Sequence, residues 1–139
     1  MGIPGLLEQL KSITSKRHIS SFKDLKVAVD GHCWLHRGAF ACSQELAQGV
    51  STKKYINFFL RMIGILRQNG ITQILVVFDG IPLPNKIETN KFRSASRKKN
   101  LELARAAEAA GDSKTAQTYY QRSVSITTDM IQNLMSALT

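Results

Sequence analysis

The chain has 139 residues, enough for one domain with a hydrophobic core, and 43% of them are hydrophobic. Its 19 Lys and Arg residues outnumber 10 Asp and Glu residues, which gives a formal net charge of +9. That charge favours nucleic acid, an anionic membrane or an acidic protein as a partner, while a soluble protein with a basic surface is about equally compatible with it. No apolar run approaches the ~20 residues of a membrane-spanning helix. The only cysteines, Cys33 and Cys42, lack the spacing of a zinc site.

The first third of the chain predicts a helix, a strand and a second helix. Leucines and an isoleucine repeat at helical spacing within residues 4–13, and a polar loop follows at 14–25. Residues 26–30 form a short strand that is apolar almost throughout, which predicts burial on both of its faces. Residues 32–47 then predict a helix.

The middle of the chain carries the clearest amphipathic helix, which Ser51 or Thr52 can cap. Its apolar face consists of Tyr55, Phe58, Phe59, Met62, Ile63 and Leu66. Asn69 and Gly70 end this helix, and a second strand follows at residues 73–79. A strand, intervening helices and another strand predict a parallel crossover, and therefore an α/β fold.

The last third predicts a helical hairpin. One helix starts near Pro84 and runs to about Ala110, a break follows at residues 111–113, and a last helix covers 114–138. Residues 1–83 and 84–139 are thus expected to be two regions of one incomplete domain. The hairpin also resembles half of a tetratricopeptide pattern, which leaves a protein-binding module as the alternative function, although one visible copy is fewer than such arrays need.

Two aspartates each close a short apolar strand. Asp30 follows the run Val27–Val29, and Asp79 follows Ile74–Phe78. If the strands are parallel neighbours, both carboxylates emerge at the carboxyl edge of the sheet, where α/β proteins place their ligands. Carboxylate oxygens suit Mg²⁺ or Mn²⁺, which can activate water and stabilise a leaving phosphate oxygen. The alternative is that each aspartate caps the helix or turn that follows it.

A basic block follows the second aspartate. Its members are Lys86, Lys91, Arg93, Arg97, Lys98, Lys99 and Arg105. Only Glu88 and Glu102 oppose them within this stretch. Lys86, Arg93 and Arg97 share one helix face by their spacing, so they can hold a phosphate beside Asp79. The alternative is a solvated helix face without a ligand.

Two histidines flank Trp34 directly after the first aspartate. His32 and His36 have the i, i+4 spacing of a metal-binding pair, but no HExxH motif is present. A base-stacking or packing role is the favoured interpretation of both residues.

Together these features resemble the structure-specific 5′-nuclease family, which includes the flap endonucleases and has a PIN-like fold. Residues 1–6 are similar to the N-terminal signature of that family. Residues 27–30 and 77–80 are similar to its first two metal-ligand strands. Within the family, residues 33–39 and 120–127 resemble a eukaryotic exonuclease branch. The likeness covers essentially the whole chain and involves several motifs in the same order.

The resemblance implies a Mg²⁺-dependent 5′-to-3′ DNA exonuclease and flap endonuclease, with Mn²⁺ as an alternative ion. It makes Asp30 and Asp79 metal-site acids, and it makes Lys86 and Arg93 contacts of the scissile phosphate at the start of a helical arch spanning 84–135. The α-amine of Gly2 would lie near the active site. Arg97, Lys98 and Lys99 are expected to bind the DNA backbone. His32 stands where this branch usually has Tyr, and an imidazole can still stack.

The implied partners are DNA with 5′ ends, flaps, nicks or gaps, together with repair proteins in the nucleus, and no membrane. The family also uses further acids from a later region, and this sequence stops at Thr139 before reaching them. Asp112 and Asp129 fall in the hairpin turn and the last helix, where they do not replace those acids. We therefore expect the isolated 139 residues to bind metal weakly, and to cleave DNA poorly or not at all.

Overall fold

The computed structural model of the chain describes residues 5–80 and 86–138. Two strands and seven α-helices are formed in these ranges, in the order α1 (Leu6–Gln9), β1 (Lys26–Asp30), α2 (Gly31–Phe40), α3 (Ser43–Ala47), α4 (Lys54–Gln68), β2 (Gln73–Val77), α5 (Ile87–Ala109), α6 (Ser113–Ser123) and α7 (Thr128–Leu138). Short 3₁₀ turns at Lys11–Ile13 and Ile19–Phe22 precede β1. The predicted contribution of Gly2 lies outside the described residues.

The two strands pair in parallel. Lys26 lies opposite Gln73, and Asp30 lies opposite Val77 at the carboxyl end. Helices α2, α3 and α4 form the crossover between the strands, which confirms the predicted α/β class with its parallel sheet. In the part of the chain that the structure describes, each strand has one neighbour, so each presents a free edge.

Among residues 5–80 and 86–138, packed elements cover one face of this sheet and leave the other exposed. Val29 is buried, and Val27, Ile74 and Val76 of the same face are partly buried against the core. Side chains alternate between the two faces of a strand, so Leu75 and the neighbouring outward positions remain exposed. The expectation that β1 is buried on both faces is therefore wrong. An apolar strand sequence allows burial on both faces, but each face is buried only if other elements pack against it.

The main core lies between α2, α4 and α7. Its buried members include Leu35, Ala39, Tyr55, Ile56, Phe59, Ile63, Met130 and Leu134. The predicted apolar face of α4 is confirmed, with Phe58 and Met62 at its half-buried margin. Because Met130 and Leu134 belong to this core, α7 is anchored to the body of the molecule. None of the described helices combines the length and the apolar character needed to cross a membrane.

Helices α5 and α6 form the predicted hairpin. Ala104, Ala116 and Tyr120 are buried where the two helices pack together, and α6 also packs against α3. Gly111 at the turn has φ +78°, a left-handed conformation that suits glycine. Asp112 caps α6 by accepting a hydrogen bond from the backbone N–H of Thr115 at 3.0 Å. Hydrogen bonding by the Thr115 side chain, and then by this N–H, lowers the pKa of the Asp112 carboxyl group.

Three predicted helices differ from the observed ones. The first is shorter than expected, the segment 32–47 is divided into α2 and α3, and the segment 114–138 is divided into α6 and α7. Packing explains why the segment 114–138 is divided into α6 and α7. Val124 is buried in the main core and Ile126 packs against that core, so the residues between α6 and α7 contribute apolar surface from a non-helical segment. The hydroxyl of Thr127 accepts a hydrogen bond from the Met130 N–H at 3.3 Å near the start of α7.

Candidate functional site

Asp30 ends β1 and caps α2. Its Oδ1 accepts a hydrogen bond from the backbone N–H of Cys33 at 3.0 Å, so one carboxylate oxygen is occupied at the helix N-terminus. The residue is nevertheless exposed. Capping and metal binding were alternatives for this side chain. The structure shows the cap.

Asp79 lies two residues beyond the end of β2, and its side chain is 92% exposed. Its backbone N–H donates a hydrogen bond to Nδ1 of His32 at 3.2 Å. The same Nδ1 lies 3.8 Å from Oδ2 of Asp79. A nitrogen that accepts the N–H bond cannot also donate to the carboxylate, so Nδ1 of His32 binds the backbone of Asp79 and not its side chain.

Phe78 and Gly31 help to place the loop that carries Asp79. The Phe78 ring packs edge-to-face against His32 with centroids 5.5 Å apart, and its inner side joins the main core. Gly31 makes room for that ring, because a β-carbon at residue 31 would lie 2.5 Å from Cε1 of Phe78. The first turn of α2 and the end of β2 are thereby packed directly together.

The two acids lie at the same edge of the sheet. Asp30 pairs with Val77 at the carboxyl end of the strands, and Asp79 follows Val77 by two residues in the segment after β2. Both acids are exposed. Within residues 5–80 and 86–138, no group of three or more His, Cys, Asp or Glu side chains is placed to hold a metal ion. The described site therefore offers two carboxylates and lacks a complete coordination shell.

A basic cleft opens between α2, α5 and the end of α6. It encloses about 280 Å³ and is lined by His36, Phe92, Arg93, Ser96, Arg97, Arg122 and Val124. We call it the arginine cleft. None of these described lining residues is acidic. His36 follows His32 by four residues in α2, so the arginine cleft begins about one helical turn, roughly 6 Å, along that helix from the His32 contact with Asp79.

His36 is the titratable group on the α2 side of the arginine cleft. Burial lowers its pKa below the ordinary value of 6.5, and the positive charge of Arg97 lowers it further. A hydrogen bond with the backbone of Val124 acts in the opposite direction. The ring also packs edge-to-face on Phe40, with centroids 4.9 Å apart. The balance favours neutral His36 in a cleft whose permanent charges are guanidinium groups.

The remaining predicted residues are spread along α5. Lys86 is the exposed residue at the N-terminal boundary of this helix, while Arg93 and Arg97 line the arginine cleft. Lys98 and Lys99 are exposed outside it. The structure thus brings His36, Arg93 and Arg97 together, places Asp30, His32 and Asp79 at the sheet edge, and separates the two consecutive lysines from both groups.

Comparison with known proteins identifies the family. Residues 1–100 match the XPG N-terminal domain. The chain belongs to the XPG N-terminal domain family. This membership, with the parallel strand pairing, confirms the 5′-nuclease resemblance and the PIN-like α/β class inferred from the sequence motifs.

Relatives align over nearly the whole of this XPG-type chain. It is 43% identical over 138 residues to exonuclease 1 of Arabidopsis thaliana, covering 99% of this chain and 19% of the relative. It is 39% identical over 137 residues to exonuclease 1 of Xenopus laevis, covering 99% and 18% respectively. Exodeoxyribonuclease 1 of Saccharomyces cerevisiae is 40% identical over 130 residues, covering 94% and 18%. The chain therefore spans less than a fifth of the length of these three relatives.

Sequence reasoning about the site missed Arg122 and Phe92. Arg122 reaches the arginine cleft only because the hairpin returns α6 towards α2, a tertiary relationship that spacing along one helix cannot reveal. The sequence around Phe92 did contain a local sign of nucleic-acid binding. Phe92 is the aromatic residue inside the basic block, and an aromatic side chain among Lys and Arg is typical of surfaces that bind single-stranded nucleic acid.

Proposed function

We propose that this XPG-type chain supplies part of the active site of a metal-dependent 5′-to-3′ DNA exonuclease and flap endonuclease that acts in DNA repair. One observation carries the proposal: two exposed carboxylates at one sheet edge are linked through α2 to a cleft containing three arginines. Carboxylates suit a hard cation, and guanidinium groups suit phosphate. The names of the aligned relatives, exonuclease 1 and exodeoxyribonuclease 1, support the same reaction class.

In this proposal Asp30 and Asp79 hold Mg²⁺, or Mn²⁺ in its place. The fit is chemical, since both side chains offer oxygen ligands, both residues are exposed, and Mg²⁺ commonly retains several waters beside one or two carboxylates. The bound ion would supply a water of lowered pKa and would neutralise developing charge at phosphate. His32 would maintain the position of Asp79 through its hydrogen bond to the backbone of that residue.

The basic residues would bind the DNA strand. Lys86 and Arg93 are proposed to contact the scissile phosphate and to stabilise negative charge that develops there. Arg97, Lys98 and Lys99 would contact neighbouring phosphates, and His36 would contact the DNA within the arginine cleft. The proposed substrates are DNA molecules with 5′ ends, flaps, nicks or gaps. A nuclear location and repair proteins as partners are proposed on the same grounds.

Metal binding is the first test, because it does not require cleavage by the isolated chain. Mn²⁺ binding should be followed by electron paramagnetic resonance in the unaltered chain and in Asp30→Asn, Asp79→Asn and Asp129→Asn. Asp129 is an exposed acid in the first turn of α7 and serves as the control. Loss of Mn²⁺ binding in the first two variants alone is expected. Equal Mn²⁺ affinity in all four proteins would contradict the proposed metal site.

DNA binding is the second test. Affinity for a 5′-flap duplex should fall steeply as salt rises, because bound phosphates release counterions. Arg93→Gln should reduce the slope of log affinity against log salt by about 0.7 to 0.9, as expected for one lost phosphate contact. Lys114→Gln, on the far hairpin helix, is the matched charge control. Binding that is absent or independent of salt would refute the proposed substrate class.

A further inference from the structure

We propose that Phe92 stacks on an unpaired base of the 5′ strand and so selects single-stranded DNA at the arginine cleft. The inference rests on the proposed nuclease function and adds a feature that recognises the bases. Arginines bind the backbone of single and double strands alike, whereas an aromatic ring can stack only on a base that is not already enclosed in a duplex.

The first observation is the exposure of the Phe92 side chain. Phe92 is 78% exposed, compared with 43% for Phe22 and 37% for Phe40. A single exposed apolar residue is common on protein surfaces and is not a site by itself. The groups that surround the ring therefore decide what it can bind.

The second observation is charge complementarity. Phe92 lines the same cleft as Arg93, Arg97 and Arg122, and the described lining residues include no carboxylate that would neutralise them. A purely apolar partner would have to cover these guanidinium groups and remove them from water without pairing. An anionic ligand that also has flat apolar faces meets both requirements, and a single-stranded nucleic acid has phosphates and bases in alternation.

The third observation is size. The arginine cleft encloses about 280 Å³, close to the lower end of the ~300–1,000 Å³ typical of small-ligand sites. A space of that size is large enough for a nucleotide-sized group. Phe92 and Arg93 both line the cleft, so a base on the ring and a phosphate on a guanidinium can be bound in the same space.

Binding of a 5′-phosphorylated single-stranded oligonucleotide tests the proposal. The unaltered chain would be compared with Phe92→Ala, Phe92→Leu and Phe92→Trp, and Ile13→Ala would be the control because Ile13 is 79% exposed outside the cleft. Phe92→Ala and Phe92→Leu should each weaken binding about fivefold or more, as expected for one lost base–aromatic stack. Phe92→Trp should bind at least as tightly as the unaltered chain, and Ile13→Ala should bind equally.

A strand with abasic residues throughout separates stacking from other effects. The unaltered chain and Phe92→Ala should bind this strand with equal affinity, because the base that the ring contacts is missing. If Phe92→Leu binds the normal strand as tightly as the unaltered chain, or if Phe92→Ala weakens both strands equally, stacking is overturned.

The outcome also separates this proposal from the proposed function. Salt-sensitive binding that weakens in Arg97→Gln but not in Phe92→Ala would overturn the stacking role and leave the nuclease proposal standing. Failure of the unaltered chain to bind any of these DNA molecules would overturn both. Binding of an acidic peptide in preference to the oligonucleotide would assign the arginine cleft to a protein partner and overturn the stacking proposal.

Discussion

The ring of Phe78 occupies the space that a side chain at Gly31 would need. An added β-carbon would lie 2.5 Å from Cε1 and 2.8 Å from Cδ1 and Cζ of that ring. Phe78 is also the residue before Asp79, and its ring packs against His32, which binds the Asp79 backbone. The glycine at the start of α2 is therefore coupled through packing to the position of the second acid.

Gly31→Ala should destabilise the protein by about 1–3 kcal/mol, because the Phe78 ring must leave its position against the core and His32. Chemical denaturation measures the change in the free energy of unfolding. The control is Gly64→Ala in α4, where a β-carbon meets nothing within 4 Å. That variant should be neutral or stabilised by up to ~1 kcal/mol through the higher helix propensity of alanine. Equal effects at the two glycines would contradict the coupling.

The two roles assigned to Asp30 can be separated with two substitutions. Asparagine keeps an oxygen that can accept the Cys33 N–H but removes the negative charge, while alanine removes both. Asp30→Ala should lose about 0.5–2 kcal/mol of stability and Asp30→Asn much less. Both should lose Mn²⁺ binding in calorimetric titrations. If Asp30→Asn retains Mn²⁺ affinity, Asp30 is a helix cap and not a metal ligand.

The sheet and its acids were predictable because their signals are local. The bounds of β1 and the first residue of β2 agree with the predicted ones, since short β-branched runs flanked by polar residues specify strands. Their parallel pairing followed from the helices between them. The assignment of Asp30 and Asp79 to one edge needed no further information, because parallel strands end on the same side.

The divided helices and the arginine cleft depend on tertiary structure. Three of the four residues between α6 and α7, Val124, Ile126 and Thr127, are β-branched, which argues weakly against a helix. The burial of this segment depends on its packing in the core that α2 and α4 form. Arg122 joins Arg93 through the return of the hairpin. The division of the chain at residue 84 and the roles of the site residues stay predictions.

Glu108 connects three helices. Its Oε1 accepts a hydrogen bond from Nε2 of Gln44 in α3 at 2.6 Å, and its Oε2 accepts one from the Tyr120 hydroxyl in α6 at 2.5 Å. The carboxylate raises the pKa of Tyr120 because it stabilises the protonated phenol. This network links α5 to both α3 and α6, and so helps to place the helix that carries Arg93.

Glu108→Ala should cost about 1.5–3 kcal/mol of stability, since it removes the charged acceptor of two hydrogen bonds. Glu102→Ala, an exposed acid on the same helix, is the control and should change stability by less than ~0.5 kcal/mol. Ultraviolet titration should also show that the Tyr120 pKa falls towards its ordinary value of 10.0 in Glu108→Ala. An unchanged tyrosine titration would show that the network does not form in solution.

Titration of His36 tests the electrostatics of the arginine cleft. Nuclear magnetic resonance should give a His36 pKa below 6.5, chiefly because the ring is half-buried and also because Arg97 opposes a second positive charge. Arg97→Gln should raise this pKa while leaving it below 6.5, since burial remains. Lys99→Gln removes an equal charge from an exposed position outside the cleft and should have less effect. A His36 pKa at or above 6.5, or equal responses to the two substitutions, would contradict this account.

The lowered pKa of His36 also predicts how the stability of the protein depends on pH. The unfolded chain binds a proton at His36 more readily than the folded chain does, so stability rises with pH between the two pKa values. The contribution of His36 to the free energy of unfolding is fully present above about pH 6.5. It is lost as the pH falls from there through the pKa of His36 in the folded state. His36→Gln should flatten this part of the stability profile, measured by urea denaturation between pH 5 and 7.5. A profile as steep as that of the unaltered chain would show that another group is responsible.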